Sequence, residues 1–466
     1  MTTTTSKPKS DKQKLWDSIA ARPEWIILDR MRVNGFWPHG QGIPEDPPDE
    51  AKARKLLETE RDKLMSTAIA VANPQAALKA ENERRIVESR KKRAEQKVLR
   101  EKTAREHREA WAKKKNSDVV HLGLEVSAGL EDKVSDVAKL ERAGLPILQT
   151  GPELALAMGV PLKELRWLTF HRRGAALVHY HRWGVPKKTG GVRAISAPKK
   201  KLARAQQWVF DNILLKLTVD EHAHGFVRGH SVVTNARPHV KKPVLINLDL
   251  KDFFPTITFR RVKGLFHKIG YSPAVATVLA LLTTEPPRAE VELDGKTLYV
   301  ALGDRQLPQG ACTSPALTNV LCRRLDKRLA GLAKSVDFTY TRYADDLTFS
   351  GEKIEDATYV LGCARGILEA EGFVLNGDKT RVMRPGRRQE VTGIVVNEKT
   401  SVARDEVKTL RAILHNCSKT GMAAQNRDHR PDFAAVLAGK VAWVKQVDPR
   451  RGAALGLLLQ RALARG

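Results

Sequence analysis

The sequence predicts an α+β fold preceded by a mainly helical N-terminal extension. Apolar, β-prone runs at residues 244–249 and 337–350 are typical of strands, and each carries acidic residues at its end or its centre. Runs at 202–217 and 356–371 have instead the apolar spacing of amphipathic helices. Because the chain has 466 residues, of which 42% are hydrophobic, it can form two or three structural units with a sizeable core.

Charge and cysteine content restrict the environment and the partners of the protein. The formal net charge of +28 and the pI near 10.0 indicate a phosphate-rich partner. The four cysteines are widely spaced and include no C-x-x-C pair, so neither a zinc site nor a disulfide framework is expected. The N-terminus is polar, and no apolar run is long enough to span a bilayer. We therefore expect a soluble protein of the reducing cytoplasm, without a membrane partner.

The first 144 residues are predicted to form two segments. Residues 1–50 combine short helical pieces with turn-rich sequence, and we interpret them as a leader and linker. Residues 51–144 are interpreted as a basic, charged helical extension, because Glu, Lys, Arg and Ala dominate, most clearly at 81–115. This extension is either a charged helix that contacts only solvent or a basic arm that contacts RNA or DNA phosphates.

The next element, at residues 180–196, has the pattern of a β-hairpin. Residues 189–191 supply the turn, and Lys187, Lys188 and Arg193 project cations from the two strands. The hairpin either closes over a triphosphate, with the Arg193 guanidinium as a planar donor, or is an exposed basic hairpin without a ligand.

The middle of the chain alternates helices with strands. The predicted helix at 202–217 is followed by the strand at 244–249, which ends in Asp249. A turn-rich loop at 307–315 then opens a helix predicted from about residue 316 to residue 329.

Two adjacent aspartates, Asp345 and Asp346, lie at the predicted bend of the hairpin at 337–350. Strand-forming residues on both sides fix the backbone, so the two carboxylates repel each other unless a cation lies between them. Hard oxygen ligands of this kind suit Mg²⁺. With Asp249 as a third acid on a second strand, the pattern predicts a two-metal phosphoryl-transfer site.

The order of these elements resembles the motif series of reverse transcriptases over residues 145–397. The residues that carry this resemblance are the basic hairpin, Asp249, Phe254, Gln309, the pair Asp345 and Asp346, and Lys379. Within that superfamily the sequence is most similar to the bacterial retron enzymes. Residues 235–239 match their N-A-x-x-H element, and residues 391–393 match their V-T-G element.

The resemblance implies a right-hand polymerase fold with fingers, palm and helical thumb. Residues 145–397 would form the reverse transcriptase fingers and palm. Residues 398–466 would form the helical thumb, an RNA-binding C-terminal region. The implied activity is that of an RNA-directed DNA polymerase, which is a nucleotidyltransferase.

The resemblance also implies roles at the catalytic centre. Asp249, Asp345 and Asp346 would be the catalytic residues and would hold two Mg²⁺ ions, with the backbone carbonyl of Leu250 as an added metal ligand.

The implied nucleotide-binding residues are Lys187, Arg193, Phe254, Gln309, Tyr343 and Lys379. Phe254 would lie under the incoming sugar and exclude a 2′-hydroxyl by steric clash, or it is a buried core side chain. Gln309 would contact the nucleotide from its loop, and Tyr343 would pack near the primer terminus. Lys379 would act as a general acid for pyrophosphate, or it is a solvated lysine.

The retron elements imply a structured non-coding RNA as template and primer. The family primes from an internal guanosine 2′-hydroxyl and makes a branched RNA–DNA hybrid, known as multicopy single-stranded DNA, from dNTPs. Asn235 and His239 would bind RNA or shape the loop beneath it. Val391, Thr392 and Gly393 would guide the RNA or support the primer as a strand and turn. The family also implies an effector protein as a partner and a role in anti-phage defence.

Two alternative functions remain open from the sequence. The chain is either a retron enzyme or another bacterial reverse transcriptase, group II intron-like or diversity-generating, although it has no evident added zinc or nuclease module. The non-enzyme alternative is a catalytically inactive polymerase fold that only binds RNA. The three retained carboxylates argue against it, because clustered acids in a basic groove would be costly in a pure binding protein.

Overall fold

The computed structural model describes residues 10–20, 22, 24–42, 48–70, 74–187 and 190–464. The chain divides into two compact units, Met1–His107 and Arg108–Gly466. Part of the predicted linker, at 43–47, and part of the predicted hairpin turn, at 188–189, lie outside the described residues.

The described part of the first unit is helical. Its helices are α1 (Asp11–Ala20), α2 (Glu24–Val33), α3 (Pro48–Ala70) and the long α4 (Pro74–Ser117), which continues into the second unit. The helix predicted at 81–115 is therefore confirmed. Ile86, Val87, Val98 and Leu99 of α4 are all more than half exposed, as expected for a charged helix with few apolar residues.

A four-stranded antiparallel sheet lies at the centre of the second unit. Its strands are β4 (Val244–Asp249), β7 (Phe338–Tyr343), β8 (Asp346–Gly351) and β9 (Arg381–Met383), and they lie side by side in the order β7-β8-β4-β9. The register pairs Leu248 with Leu347 and Asp249 with Asp346. Both predicted strand regions are thus confirmed.

The second unit also contains the helices α5 (Val137–Arg142), α6 (Gly151–Ala157), α7 (Leu162–Thr169), α8 (Lys200–Asn212), α9 (Val232–Ala236), α10 (Phe259–Lys268), α11 (Pro273–Thr283), α12 (Thr313–Leu321), α13 (Arg323–Ser335) and α14 (Ala357–Ala370). Of these, α9, α13 and α14 pack against the central sheet. Helix α11 is buried from Ala274 to Thr283, and this explains its almost wholly apolar sequence.

Two helix predictions need correction. The helix expected at 202–217 ends at Asn212, and a separate 3₁₀ turn follows at Leu214–Lys216. The helix expected at 316–329 is two helices, α12 and α13, because the backbone of Cys322 (ψ −2°) departs from α-helical geometry between them.

The basic hairpin predicted at 180–196 is present as β2 (Tyr180–Pro186) and β3 (Val192–Pro198). Gly190 and Gly191 take left-handed φ angles of 89° and 80°, which explains the two glycines at the turn. A second antiparallel sheet has the order β1-β6-β5, formed by β1 (Gly174–Ala175), β5 (Arg288–Leu293) and β6 (Lys296–Ala301).

The C-terminal part is a small hairpin followed by helices, and the helices agree with the helical character predicted for residues 398–466. Its elements are β10 (Glu390–Val391), β11 (Ile394–Val395), α15 (Arg404–Thr420), α16 (Met422–Gln425), α17 (Phe433–Val447) and α18 (Pro449–Leu463). Leu410, Leu437 and Val441 of these helices belong to a second hydrophobic cluster that also includes Leu245 of β4. Ile246, the next residue of β4, belongs to the main cluster.

None of the helices in the described residues combines the length and the hydropathy that a membrane-spanning helix requires.

Candidate active site

The three predicted aspartates come together at one end of the central sheet. Asp249 ends β4 and lies opposite Asp346, the first residue of β8, while Asp345 occupies the turn between β7 and β8. The turn requires a left-handed φ of 57° at Ala344. The amide of Leu250 donates to the carbonyl of Asp345 (3.1 Å), which ties the strand end to the turn. Residues almost a hundred positions apart in the chain therefore form one acidic site.

Asp249 is held by two residues from the segment after α14. Its Oδ1 accepts from Lys379 Nζ (2.9 Å), and its Oδ2 accepts from Asn376 Nδ2 (3.0 Å). The amide of Asn376 also donates to the Asp249 carbonyl (2.8 Å). The sequence indicated Lys379 but not Asn376. In the sequence, Asn376 precedes Gly377, and this pair indicates only a turn. The contact of this turn with β4 is visible only in the folded chain.

Burial and charge repulsion raise the pKa of two carboxyl groups. The pKa of Asp346 is raised to about 7, first because surrounding protein displaces water from the carboxylate and then because Asp345 and Asp249 repel a further negative charge. The pKa of Asp345 is raised mainly by burial. A cation at this site would remove the cause of the repulsion, so protons and cations compete for the same oxygens.

The donor set fits a divalent cation of the Mg²⁺ type, because it consists of carboxylate oxygens on a rigid hairpin and a strand end. The three aspartates share this end of the sheet, but within the described ranges no three His, Cys, Asp or Glu side chains are close enough to hold one metal ion together. Asp249 forms an ion pair with Lys379, whose ammonium group supplies positive charge next to the three carboxylates. The pKa of Lys379 is raised, chiefly by its hydrogen bond to Asp249.

A fully buried arginine lies behind the catalytic turn. Arg342 of β7 pairs with Asp326 of α13 through two hydrogen bonds, Nε–Oδ1 and Nη2–Oδ2, each 2.7 Å. Its Nη1 donates to Asn319 Oδ1 (2.9 Å) and to the carbonyl of Ala344 (3.3 Å). Tyr340 also donates to Asp326 (2.9 Å).

This network holds the backbone of Ala344, the residue that precedes Asp345. Burial alone would lower the pKa of Arg342, but the paired Asp326 carboxylate outweighs burial and raises it, so the guanidinium stays charged. Sequence reasoning missed the network. The available signal was a charged residue inside a strand whose neighbours are otherwise apolar or hydroxyl-bearing.

The predicted nucleotide-binding residues lie on separate elements of the second unit. Lys187 and Arg193 are exposed at the basic hairpin, and Arg193 is near enough to Asp345 to oppose the rise of its pKa. The Gln309 carbonyl accepts from the amide of Ser196 in β3 (2.8 Å), which connects the loop to the hairpin. Gly310 (φ 127°) allows this approach, since an added Cβ would lie 3.0 Å from the Ser196 carbonyl oxygen.

Phe254 follows Asp249, the last residue of β4, by five positions, and Tyr343 is the last residue of β7. Both side chains are half-buried. The ring of Phe254 packs against Phe253 with centroids 5.6 Å apart. Tyr343 pairs with Asp346 in the β7–β8 register.

The side chains of the N-A-x-x-H element lie in the interior, and RNA binding by Asn235 and His239 stays a prediction. Asn235 and His239 are buried. Both ring nitrogens of His239 have partners in the catalytic hairpin, Ser350 Oγ (2.7 Å) and Thr341 Oγ1 (2.8 Å). Burial lowers the pKa of His239 to about 3, so its ring is neutral. These contacts favour the alternative in which the element shapes its own loop.

The V-T-G element packs beside the N-A-x-x-H element. Val391 is buried in the second hydrophobic cluster, and Asn235 Nδ2 lies 3.4 Å from Thr392 Oγ1. These contacts favour the alternative in which the element is a supporting strand and turn, and guidance of the RNA by Val391 stays a prediction. Thr392 is half-buried, and Gly393 is exposed at the turn with a φ of 84°.

Comparison with known proteins gives one consistent result. The family model described as "Reverse transcriptase (RNA-dependent DNA polymerase)" matches residues 185–412. The chain is 41% identical over 416 residues to the Retron Mx162 reverse transcriptase of Myxococcus xanthus, covering 84% of this chain and 83% of the relative.

Two further relatives carry the same kind of name. The Retron Mx65 reverse transcriptase of Myxococcus xanthus is 44% identical over 322 residues, which cover 69% of this chain and 74% of the relative. The Retron Ec86 reverse transcriptase of Escherichia coli is 34% identical over 287 residues, with coverage of 60% and 83%. The residues that the family model matches, 185–412, include the central sheet and its three carboxylates.

Proposed function

Because the chain belongs to the retron reverse transcriptases and is an RNA-directed DNA polymerase, we propose that it copies a structured non-coding RNA to which it is bound. Synthesis starts from the 2′-hydroxyl of an internal guanosine and yields a branched RNA–DNA hybrid, multicopy single-stranded DNA. The observation that carries this proposal is the meeting of Asp249, Asp345 and Asp346 at one end of the central sheet in a chain of this family. An effector protein, a cytoplasmic location and a role in anti-phage defence belong to the same proposal.

Asp249, Asp345 and Asp346, with the main-chain carbonyl of Leu250, would hold two Mg²⁺ ions. When bound, the ions would lower the pKa of the attacking hydroxyl and stabilise the pyrophosphate that leaves. The protein's own contribution is positional, since strand pairing sets Asp249 opposite Asp346.

Lys379 is proposed to hold a proton close to the leaving pyrophosphate. Its ion pair with Asp249 keeps the ammonium protonated at the edge of the acidic site. Release of Lys379 from Asp249 would place a proton donor beside the negative charge that develops on the leaving group. Lys187, Arg193 and Gln309 would bind the incoming nucleotide from the basic hairpin and the loop attached to it.

Phe254 is proposed to select deoxynucleotides. Replacing it by Ala removes the ring that would clash with a 2′-hydroxyl, so we expect discrimination against ribonucleotides to fall by about ten-fold or more. The measurement is the ratio of kcat/KM for dNTP and rNTP incorporation on an annealed primer. Tyr359→Ala, which removes an exposed aromatic ring on α14, should leave the ratio unchanged. Unchanged discrimination in Phe254→Ala would mean that Phe254 is only a core side chain.

The segment boundaries follow the proposed right-hand arrangement. Residues 1–50 serve as leader and linker, 51–144 as a basic extension, 145–397 as fingers and palm, and 398–466 as the RNA-binding helical thumb. The exposed charge of α4 supports a function of the extension as an arm on RNA phosphates.

Removing residues 1–107 tests the arm, because the second compact unit begins at Arg108. We expect weaker RNA binding and a shallower dependence of log K on log salt concentration, since fewer counterions would be released. The matched full-length variant replaces Arg93, Lys97 and Arg100 by Gln and should shift the slope in the same direction. Equal slopes in all three proteins would identify α4 as a solvated helix.

The proposed product is tested by expressing the protein with its neighbouring transcribed region and extracting the bound nucleic acid. After RNase treatment, a denaturing gel is run with and without a debranching enzyme. A discrete short DNA whose mobility changes on debranching is the expected result. Unbranched DNA would favour another class of bacterial reverse transcriptase. Bound RNA without DNA, despite Mg²⁺ and dNTPs, would favour the inactive RNA-binding alternative.

A further inference from the structure

An exposed and strained aromatic residue lies beside the catalytic hairpin. Phe226 has a φ of 60°, and the residue is 61% exposed. A bulky side chain rarely adopts left-handed backbone geometry, because Cβ approaches the following carbonyl oxygen. Exposure of a phenyl ring also forgoes the burial that normally stabilises it. Neither feature benefits the folded protein by itself, and strain of this kind is typical of functional sites.

The neighbouring backbone shows why the strain persists. Ala223 forms a bridge with Arg342, and the amide of His224 donates to the Arg342 carbonyl (2.8 Å). Asn319, itself bound to Arg342, donates through Nδ2 to the Gly225 carbonyl (2.8 Å). The loop before Phe226 is therefore attached to the same buried network that supports the catalytic turn.

Gly225 brings this loop against the catalytic turn. A Cβ added at Gly225 would lie 2.6 Å from the amide nitrogen of Ala344, so only glycine fits there. On the other side, the His230 ring hydrogen-bonds to the Ala223 carbonyl (3.0 Å), which closes the loop. Phe226 is thus held next to the turn that carries Asp345.

The ring of Phe226 faces Tyr343, with centroids 6.2 Å apart and planes inclined by 37°. Tyr343 is paired with Asp346, so the two rings lie at the edge of the acidic site. Arg228, two residues beyond Phe226, is exposed and provides a cation on the same loop. Aromatic rings beside a cation match the chemistry of a nucleobase and its phosphate.

We propose that Phe226 and Tyr343 form a stacking surface for a nucleobase of the primer–template at the active site. Base stacking tolerates any sequence because every base has a π-face, and this property suits an enzyme that copies many sequences. The strained loop fixes the ring before the nucleic acid arrives, which lowers the entropy lost on binding. The inference rests on the polymerase activity in the proposed function, but it does not depend on branched priming.

Phe226→Gly separates the proposed role from a structural one. Glycine removes the ring and also relieves the steric strain of the left-handed backbone. If the role of Phe226 is purely structural, Phe226→Gly should therefore have higher thermal stability and unchanged synthesis. A stacking role predicts equal or higher stability together with roughly 5- to 150-fold weaker primer–template binding, the range expected for one lost stacked base. Phe226→Trp should retain binding, and Phe226→Asn, which also tolerates left-handed geometry, provides a second variant without the ring.

The assay uses the full chain and a DNA primer annealed to an RNA template. Equilibrium binding and the KM values for primer–template and for dNTP are measured separately. Asp294→Gly, at another left-handed position (φ 52°) in the β5–β6 turn, is the control for strain relief and should not change binding. A rise confined to the primer–template Kd and KM supports the proposal. Unchanged values in Phe226→Gly and Phe226→Asn, or a rise confined to the dNTP KM, would overturn it.

Failure of the stacking proposal can be distinguished from failure of the proposed branched priming. A wild-type protein that extends the annealed primer but makes no branched DNA would contradict the proposed priming alone. Binding is measured without catalysis, so the stacking proposal is tested even by a protein that extends no primer.

Discussion

Replacing Asp345 and Asp346 together by Asn is expected to abolish DNA synthesis and to leave RNA binding largely intact. The two carboxylates lie at the turn opposite Asp249, where their charge would hold the metal ions, and Asn keeps the shape while it removes the charge. The loss should be about a thousand-fold or more in kcat, since two charged ligands are removed at once. Primer extension measures the rate, and filter binding measures the affinity for RNA.

Asp337→Asn is the matched control for this experiment. Asp337 is an exposed aspartate just before β7 on the same hairpin, and Asn tolerates its left-handed φ of 57°. Synthesis should be unchanged in this variant. Should the doubly substituted catalytic turn still polymerise DNA, the assignment of the active site would be wrong.

Arg342→Met is expected to cause the largest loss of stability from a single substitution in this region. It leaves the Asp326 carboxylate buried without its bidentate partner, which typically costs about 3–5 kcal/mol of unfolding free energy. The substitution also removes the donor to the Ala344 carbonyl, so the turn that carries Asp345 loses support. Chemical denaturation measures the stability, and primer extension of the folded fraction measures the rate.

A double variant distinguishes the two effects of this substitution. Arg342→Met with Asp326→Leu removes both charges, and replacing a buried pair by apolar residues is often neutral for stability. We expect most of the stability to return while synthesis stays impaired, because Ala344 and Asn319 still lack the guanidinium. Full recovery of synthesis would show that Arg342 supports only the fold.

The strands and the acidic turn are predictable because their signals are local. The apolar run of β4 and the residues around Asp345 and Asp346 each show their structure within a few positions, and pairing of the two strands then brings Asp249 into place. The basic hairpin is predictable for the same reason, from its glycines. The order of these elements identifies the family without any structural information.

The supporting contacts are not predictable in this way, because they join distant parts of the chain. Asn376 reaches Asp249 across 127 positions, and His239 reaches Ser350 across 111. Buried polar residues resemble surface residues in sequence, so the interior position of Asn235 could not be inferred from its type.

Strand β4 divides its alternating side chains between two hydrophobic cores. Ile246 faces one core and Leu245 faces the other, which is completed by the C-terminal helices. A fragment ending before α15 would therefore expose an apolar side of the very strand that ends in Asp249, and such a surface promotes aggregation. Any attempt to shorten this enzyme for biotechnological use must retain residues 404–463, even if copying itself requires none of their side chains.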